Sequence, residues 1–118
     1  MTRPVRPAIV VASVAAGPVE DAVLAGIEEE GVPAVVERVT TGRAVDLART
    51  AARQSPLGVG IGIDGDGAVC VQPEKVADPI PELVATPAAV AAARTLGHDA
   101  ARICSGLPLK GPRREGPR

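Results

Sequence analysis

Phenylalanine, tyrosine and tryptophan are all absent from this sequence. Its core must be assembled from valine, leucine, isoleucine and alanine, without the large burial that each aromatic ring supplies. Only moderate stability is expected of such a core, with a partner adding to it. The same absence removes the rings on which bases stack. A net charge of −1 gives no electrostatic footprint for a phosphate backbone. Neither feature points to nucleic acid.

Cysteine is nearly absent as well. Cys70 and Cys104 have no close His or Cys companion, which is neither a disulfide framework nor a zinc pattern. They read as buried free thiols in a reducing compartment. No apolar run approaches the ~20 residues of a membrane-spanning helix. The start, Arg3 and Arg6 before AIVVASVAAG, superficially resembles a signal peptide. The β-branched run followed by a helical pattern predicts instead a first strand buried on both faces.

No G-x-x-x-x-G-K-[ST] occurs, so the chain shows no sign of its own ATPase. Gly60, Gly62 and Gly65 match G-x-G-x-x-G formally. They lie inside a strand pattern that runs into a hairpin, not between a strand and a helix N-terminus, where amides would meet a pyrophosphate. Asp64 and Asp66 do not begin a calcium loop, because the twelfth position holds Lys75 where a bidentate glutamate is needed. His98, the sole histidine, has no identifiable nucleophile partner and reads as a solvated or cap-region residue.

What is present is a regular alternation of elements. The pattern predicts strands over 8–14, 34–38, 57–63 and 68–72, with a brief fifth around 82–85. Helices are predicted over 19–30, 43–54 and from 87 to about 104. Thr40 or Thr41 is the expected cap of the second and Thr86 of the third. Gly31 should end the first helix. Asp64-Gly65-Asp66-Gly67 is a tight-turn signal that makes the third and fourth strands antiparallel neighbours. Gly97, inside the third helix, is expected to mark a close approach to the sheet. The prediction is a three-layer α/β/α domain with a five-stranded mixed, mostly parallel sheet of order 2-1-3-4-5, strand 4 antiparallel. A single domain over 1–109 precedes a basic tail, 110–118, that has no apolar residue to bury and is expected to be disordered.

Glu28, Glu29 and Glu30 stand at the wrong end of the first helix, where the macrodipole already places about half a negative charge. With Ile27 at the centre of the buried face, Glu28 and Glu30 flank that face and Glu29 points about 200° away, toward solvent or a partner. The run is either a solvated charge cluster or a site completed by a cation or a partner's arginine.

PAIVVASV, VLAGIEEEGVP, DLARTAARQSPLGVGIGID and ARTLGHDAARICSGLPL together resemble the small (β) subunit of diol and glycerol dehydratase reactivating factors, over about residues 7–109. The most specific elements are GIEEEGVP, the A-A-R-x-S-P-L segment at 51–57, and D-A-A-R followed by G-L-P at 99–108. The resemblance implies an anticodon-binding-domain-like fold and a non-catalytic, chaperone-like subunit. Its large Hsp70-like partner hydrolyses ATP, the two forming a heterotetramer. Together they release damaged cobalamin from inactivated adenosylcobalamin-dependent dehydratase by subunit swapping. It further implies Glu29 as a ligand of a Mg²⁺ shared with the large subunit, no cobalamin or ATP on this chain itself, dehydratase subunits as further partners, and a cytoplasmic or microcompartment location. The sequence departs from the family at Leu109, where relatives often carry an aromatic residue, and over 72–86. A dehydratase medium subunit is the nearest alternative, and a free-standing α/β enzyme or ligand-binding domain the alternative from another class.

Overall fold

The computed structural model describes residues 6–110. The predicted tail therefore lies outside the described residues, apart from Lys110. In chain order the elements are β1 (Ile9–Ser13), α1 (Pro18–Glu29), β2 (Ala34–Arg38), α2 (Ala44–Gln54), β3 (Val59–Ile63), β4 (Val69–Pro73), β5 (Val84–Ala85) and α3 (Val90–Ser105). A 3₁₀ turn over Pro81–Leu83 leads into β5. The sheet order is β2-β1-β3-β4-β5, with β1 parallel to both neighbours and β4 antiparallel to β3 and β5. That is the predicted topology.

The alternation of side chains along each strand divides the core between two helical layers. Ile9, Val11, Val59, Ile61, Ile63, Val69 and Val71 face one side and pack with Val23 and Ile27 of α1 and Ala93, Leu96 and Ala100 of α3. The other side carries Val10, Ala12, Cys70, Gly60 and Gly62, against the alanines of α2. A Cβ on Gly60 would stand 2.1 Å from the amide nitrogen of Ala52, and one on Gly62 would stand 2.1 Å from the Ala44 carbonyl oxygen. The G-x-G of β3 is therefore the groove in which the α2 backbone lies.

The β3–β4 turn forms as its sequence requires. Asp64 Oδ1 accepts from the amides of Asp66 (2.9 Å) and Ala68 (3.0 Å), and Gly67 takes a positive φ of 85°. Gly31, with φ 78°, ends α1 and donates to the Glu28 carbonyl. Ser55, buried after α2, donates 2.6 Å to the Ala8 carbonyl and accepts from Leu57, tying the S-P-L segment to the entry of β1.

Three local expectations need correction. The N-cap of α2 is Arg43, not Thr40 or Thr41, and that of α3 is Ala89, not Thr86; neither cap uses a side chain. The helix-favouring alanines at 88 and 89 stay outside α3. Gly97 does approach a backbone closely, but that of α1. A Cβ there would lie 2.2 Å from the Val23 carbonyl oxygen, and one on Gly26 would lie 2.1 Å from the Arg94 carbonyl oxygen. The two helices cross glycine to glycine.

Candidate functional site

This crossing decides what neutralises the glutamates. α3 carries Arg94, His98 and Arg102 at intervals of four, on one helical stripe. Because α1 and α3 touch at Gly26 and Gly97, the last turn of α1 lies along that stripe. Arg94 reaches Glu29 with both Nε and Nη2, the Nε contact being 3.0 Å. His98 stands between the two acids, Nε2 at 2.7 Å from Glu29 Oε1 and Nδ1 at 2.7 Å from Glu30 Oε2. Arg102 Nε donates to Glu30 at 3.1 Å, and its Nη1 to the Pro108 carbonyl at 3.1 Å. Glu28 is exposed. The cations of α3 thus offset both the acids and the partial negative charge of the helix end.

His98 is therefore neither solvated nor a cap residue, as expected above, but buried between two carboxylates. A carboxylate only accepts, so each contact is a hydrogen bond only when the facing ring nitrogen carries a proton. The contact with His98, and secondarily Arg102, holds the Glu30 carboxyl below the ordinary glutamate range. Glu29 keeps the exposure that helix geometry gives it, its side chain being 36% exposed, yet its oxygens are engaged within the chain. Arg94 and Arg102 were missed by sequence reasoning. The available signal was a basic side chain every four residues on α3, at the period that places all three on one helical stripe.

The D-A-A-R…G-L-P motif has a local explanation. Gly106 takes the left-handed conformation that ends α3. The chain then folds back, held by Arg102 on the Pro108 carbonyl and by the buried Asp99, whose Oδ1 accepts from the Lys110 amide. Lys110 is thereby brought to the rim of an open concavity of about 560 Å³ lined by Glu29, Arg94, Thr95 and His98.

A second polar cluster closes the crevice at the carboxyl ends of β1 and β2. Arg38 grips the buried Glu20 with a fork of 2.7 and 3.2 Å and also reaches Ser13 Oγ at 3.2 Å. The Arg38 guanidinium holds the Glu20 carboxyl below its ordinary value. Glu20 sits in the first turn of α1, so the positive end of that helix is answered by the chain's own acid. Since its folded pKa is depressed, Glu20 stabilises the fold fully above the unfolded value of 4.5 and loses that contribution as pH falls through the folded value. Glu20→Gln should cost roughly 1–2 kcal/mol at pH 7, discounted because Arg38 is half-exposed. The gap between wild type and variant should narrow below pH 4.5, as urea titrations across pH will show. A gap that stays constant to pH 3 contradicts this assignment.

Among the described residues no group of three or more His, Cys, Asp or Glu is placed to hold a metal ion, and no helix is long and apolar enough to cross a membrane. Burial raises both thiols, Cys70 to about 11, so neither is a ready nucleophile.

Fold and cluster together define a three-layer α/β domain whose two helix-end carboxylate groups are closed by its own cations. The chain belongs to the dehydratase medium subunit family, whose sequence model matches residues 6–110. It is 38% identical over 88 residues to the propanediol dehydratase-reactivating factor small subunit of Salmonella typhimurium, a match covering 75% of this chain and 76% of that one. It is likewise 38% identical over 88 residues to the diol dehydratase-reactivating factor small subunit of Klebsiella michiganensis, covering 75% and 70%. Among solved structures it is similar to a glycerol dehydratase reactivase, with a TM-score of 0.80, 28% identity, and coverage of 89% of this chain and 97% of that one. It is also similar to a diol dehydratase-reactivating factor complexed with ADP and Mg²⁺, with a TM-score of 0.78, 32% identity, and coverage of 89% and 98%.

Proposed function

We propose that this chain is the small subunit of a reactivating factor for an adenosylcobalamin-dependent diol or glycerol dehydratase. One observation carries the reading: the fold spans 97–98% of the solved reactivase chains it resembles, with 28–32% identity. The residues support a division of labour. Gly60 and Gly62 are filled by α2, and the first turn of α1 is answered by Glu20, which supports assigning ATP hydrolysis to a large partner subunit. The role of this chain is exchange. Its family is named for a dehydratase subunit while its relatives belong to a factor that acts on dehydratase. A shared fold is what subunit swapping requires: the chain takes the place of the dehydratase's own subunit, or vacates it, while damaged cobalamin leaves.

The dehydratase medium subunit remains the second reading, favoured by the family's name. The two separate in a binding experiment. Purified chain mixed with the large ATPase subunit should form a stable complex without any dehydratase present. A chain that binds only dehydratase subunits fits the second reading and contradicts the first.

Glu29 is the residue we assign to a Mg²⁺ shared with the large subunit. This chain supplies a single exposed carboxylate for it, which suits a hard cation that takes one or two carboxylates and keeps several waters. The remaining ligands belong to the partner and to water. The domain itself we take to extend over 1–109, with the basic tail beyond it, in a complex that resides in the cytoplasm or a microcompartment.

A further inference from the structure

Glu29 is not waiting open. Its two oxygens already face the guanidinium of Arg94 and the ring of His98. The two neighbours differ in what they can do. His98 is only 10% exposed and is held on its other side by Glu30. Arg94 is 54% exposed and borders the 560 Å³ concavity into which a long side chain can swing. From this asymmetry we infer that Arg94 is a displaceable counter-ion for Glu29. It occupies the carboxylate in the free subunit and must leave when a divalent cation or a partner's cationic group arrives. His98 stays and orients the carboxylate. This rests on the reading of Glu29 as the shared ligand.

The competition has a definite sign. When a binding-competent state is only a fraction of the population, apparent affinity falls by that fraction. An exposed ion pair is worth up to about 1 kcal/mol, a factor of about five. Removing Arg94 should therefore tighten the site. If Arg94 merely stabilised the helix pair or touched the partner, its removal would loosen binding instead.

The test measures association with the large subunit as a function of Mg²⁺ concentration, for wild type, Arg94→Gln, Glu29→Gln and the double variant. Melting curves check that each is folded. Arg94→Gln is expected to lower the half-saturating Mg²⁺ concentration by about two- to fivefold. In the Glu29→Gln background the same change should have no effect, because there is nothing left to compete for. An unchanged or raised midpoint in Arg94→Gln, with Mg²⁺ dependence still lost in Glu29→Gln, overturns the role of Arg94 and leaves Glu29 standing. Equal Mg²⁺ dependence in Glu29→Gln and wild type overturns both.

Discussion

Gly97→Ala is expected to destabilise the domain by about 2–3 kcal/mol, although alanine is the better helix former by about 1 kcal/mol. The two effects oppose each other, and magnitude decides. A Cβ at position 97 would stand 2.2 Å from the Val23 carbonyl oxygen and 3.2 Å from Gly26 Cα. Both are backbone atoms of a helix, so no rotamer change can relieve the clash; α1 and α3 must separate. Thermal melts should show a Tm lower by roughly 10 °C. The displacement should also draw Glu29 and Glu30 away from His98, which orients the Glu29 carboxylate, and from Arg102, weakening association with a partner beyond what lost stability explains. A variant as stable as wild type would mean that the helices do not cross at these glycines. Gly31, with a positive φ but open space around it, is the useful contrast. Substitution there strains only the helix end.

The second large effect concerns Glu29. If Glu29 ligates the Mg²⁺ proposed above, Glu29→Gln removes one anionic ligand while leaving an amide of similar size in an exposed position. The fold should survive, losing the exposed ion pair with Arg94, worth at most about 1 kcal/mol, while the amide keeps a polar atom beside His98. Association with the large subunit in Mg²⁺ should weaken on the order of tenfold, or 1.4 kcal/mol. Chelation should weaken wild type substantially and the variant hardly at all, a non-additive pair. Glu28→Gln should change little, because Glu28 is exposed and points elsewhere. Equal sensitivity to chelator in wild type and Glu29→Gln would return the acidic run to a structural role, answered by α3 alone.

The contrast between Gly60 and Gly97 indicates what could be read from sequence and what could not. Strand alternation, the Asp64–Gly67 turn and Gly31 are local features, and each specifies its element through nearest neighbours. The right-handed crossover rule then gives the strand order. Gly60 and Gly62 were recognised as misplaced for phosphate binding because their context is also local. Gly97 was assigned to the wrong neighbour because a close approach says only that a backbone comes near, not which one. Ala88 and Ala89 have good helix propensity yet stand outside α3, where tertiary context overrides a preference of a few tenths of a kcal/mol. The site divides the same way. Helix periodicity exposed Glu29, but the partners of Glu29 and Glu30 lie 65 to 72 residues further along. The packing of α1 on α3, closest at Gly26 and Gly97, brings them together.

We propose that this chain works with a large ATPase subunit to restore inactivated dehydratase. Dehydratase inactivated by turnover, its damaged cobalamin still bound, should be incubated with ATP, Mg²⁺ and intact coenzyme, with the large subunit, and with or without this chain. The measurement is recovered diol or glycerol turnover, alongside the cobalamin released to the filtrate. Recovery and release are expected only when both subunits are present, with Glu29→Gln markedly impaired. Full recovery with the large subunit alone would contradict it.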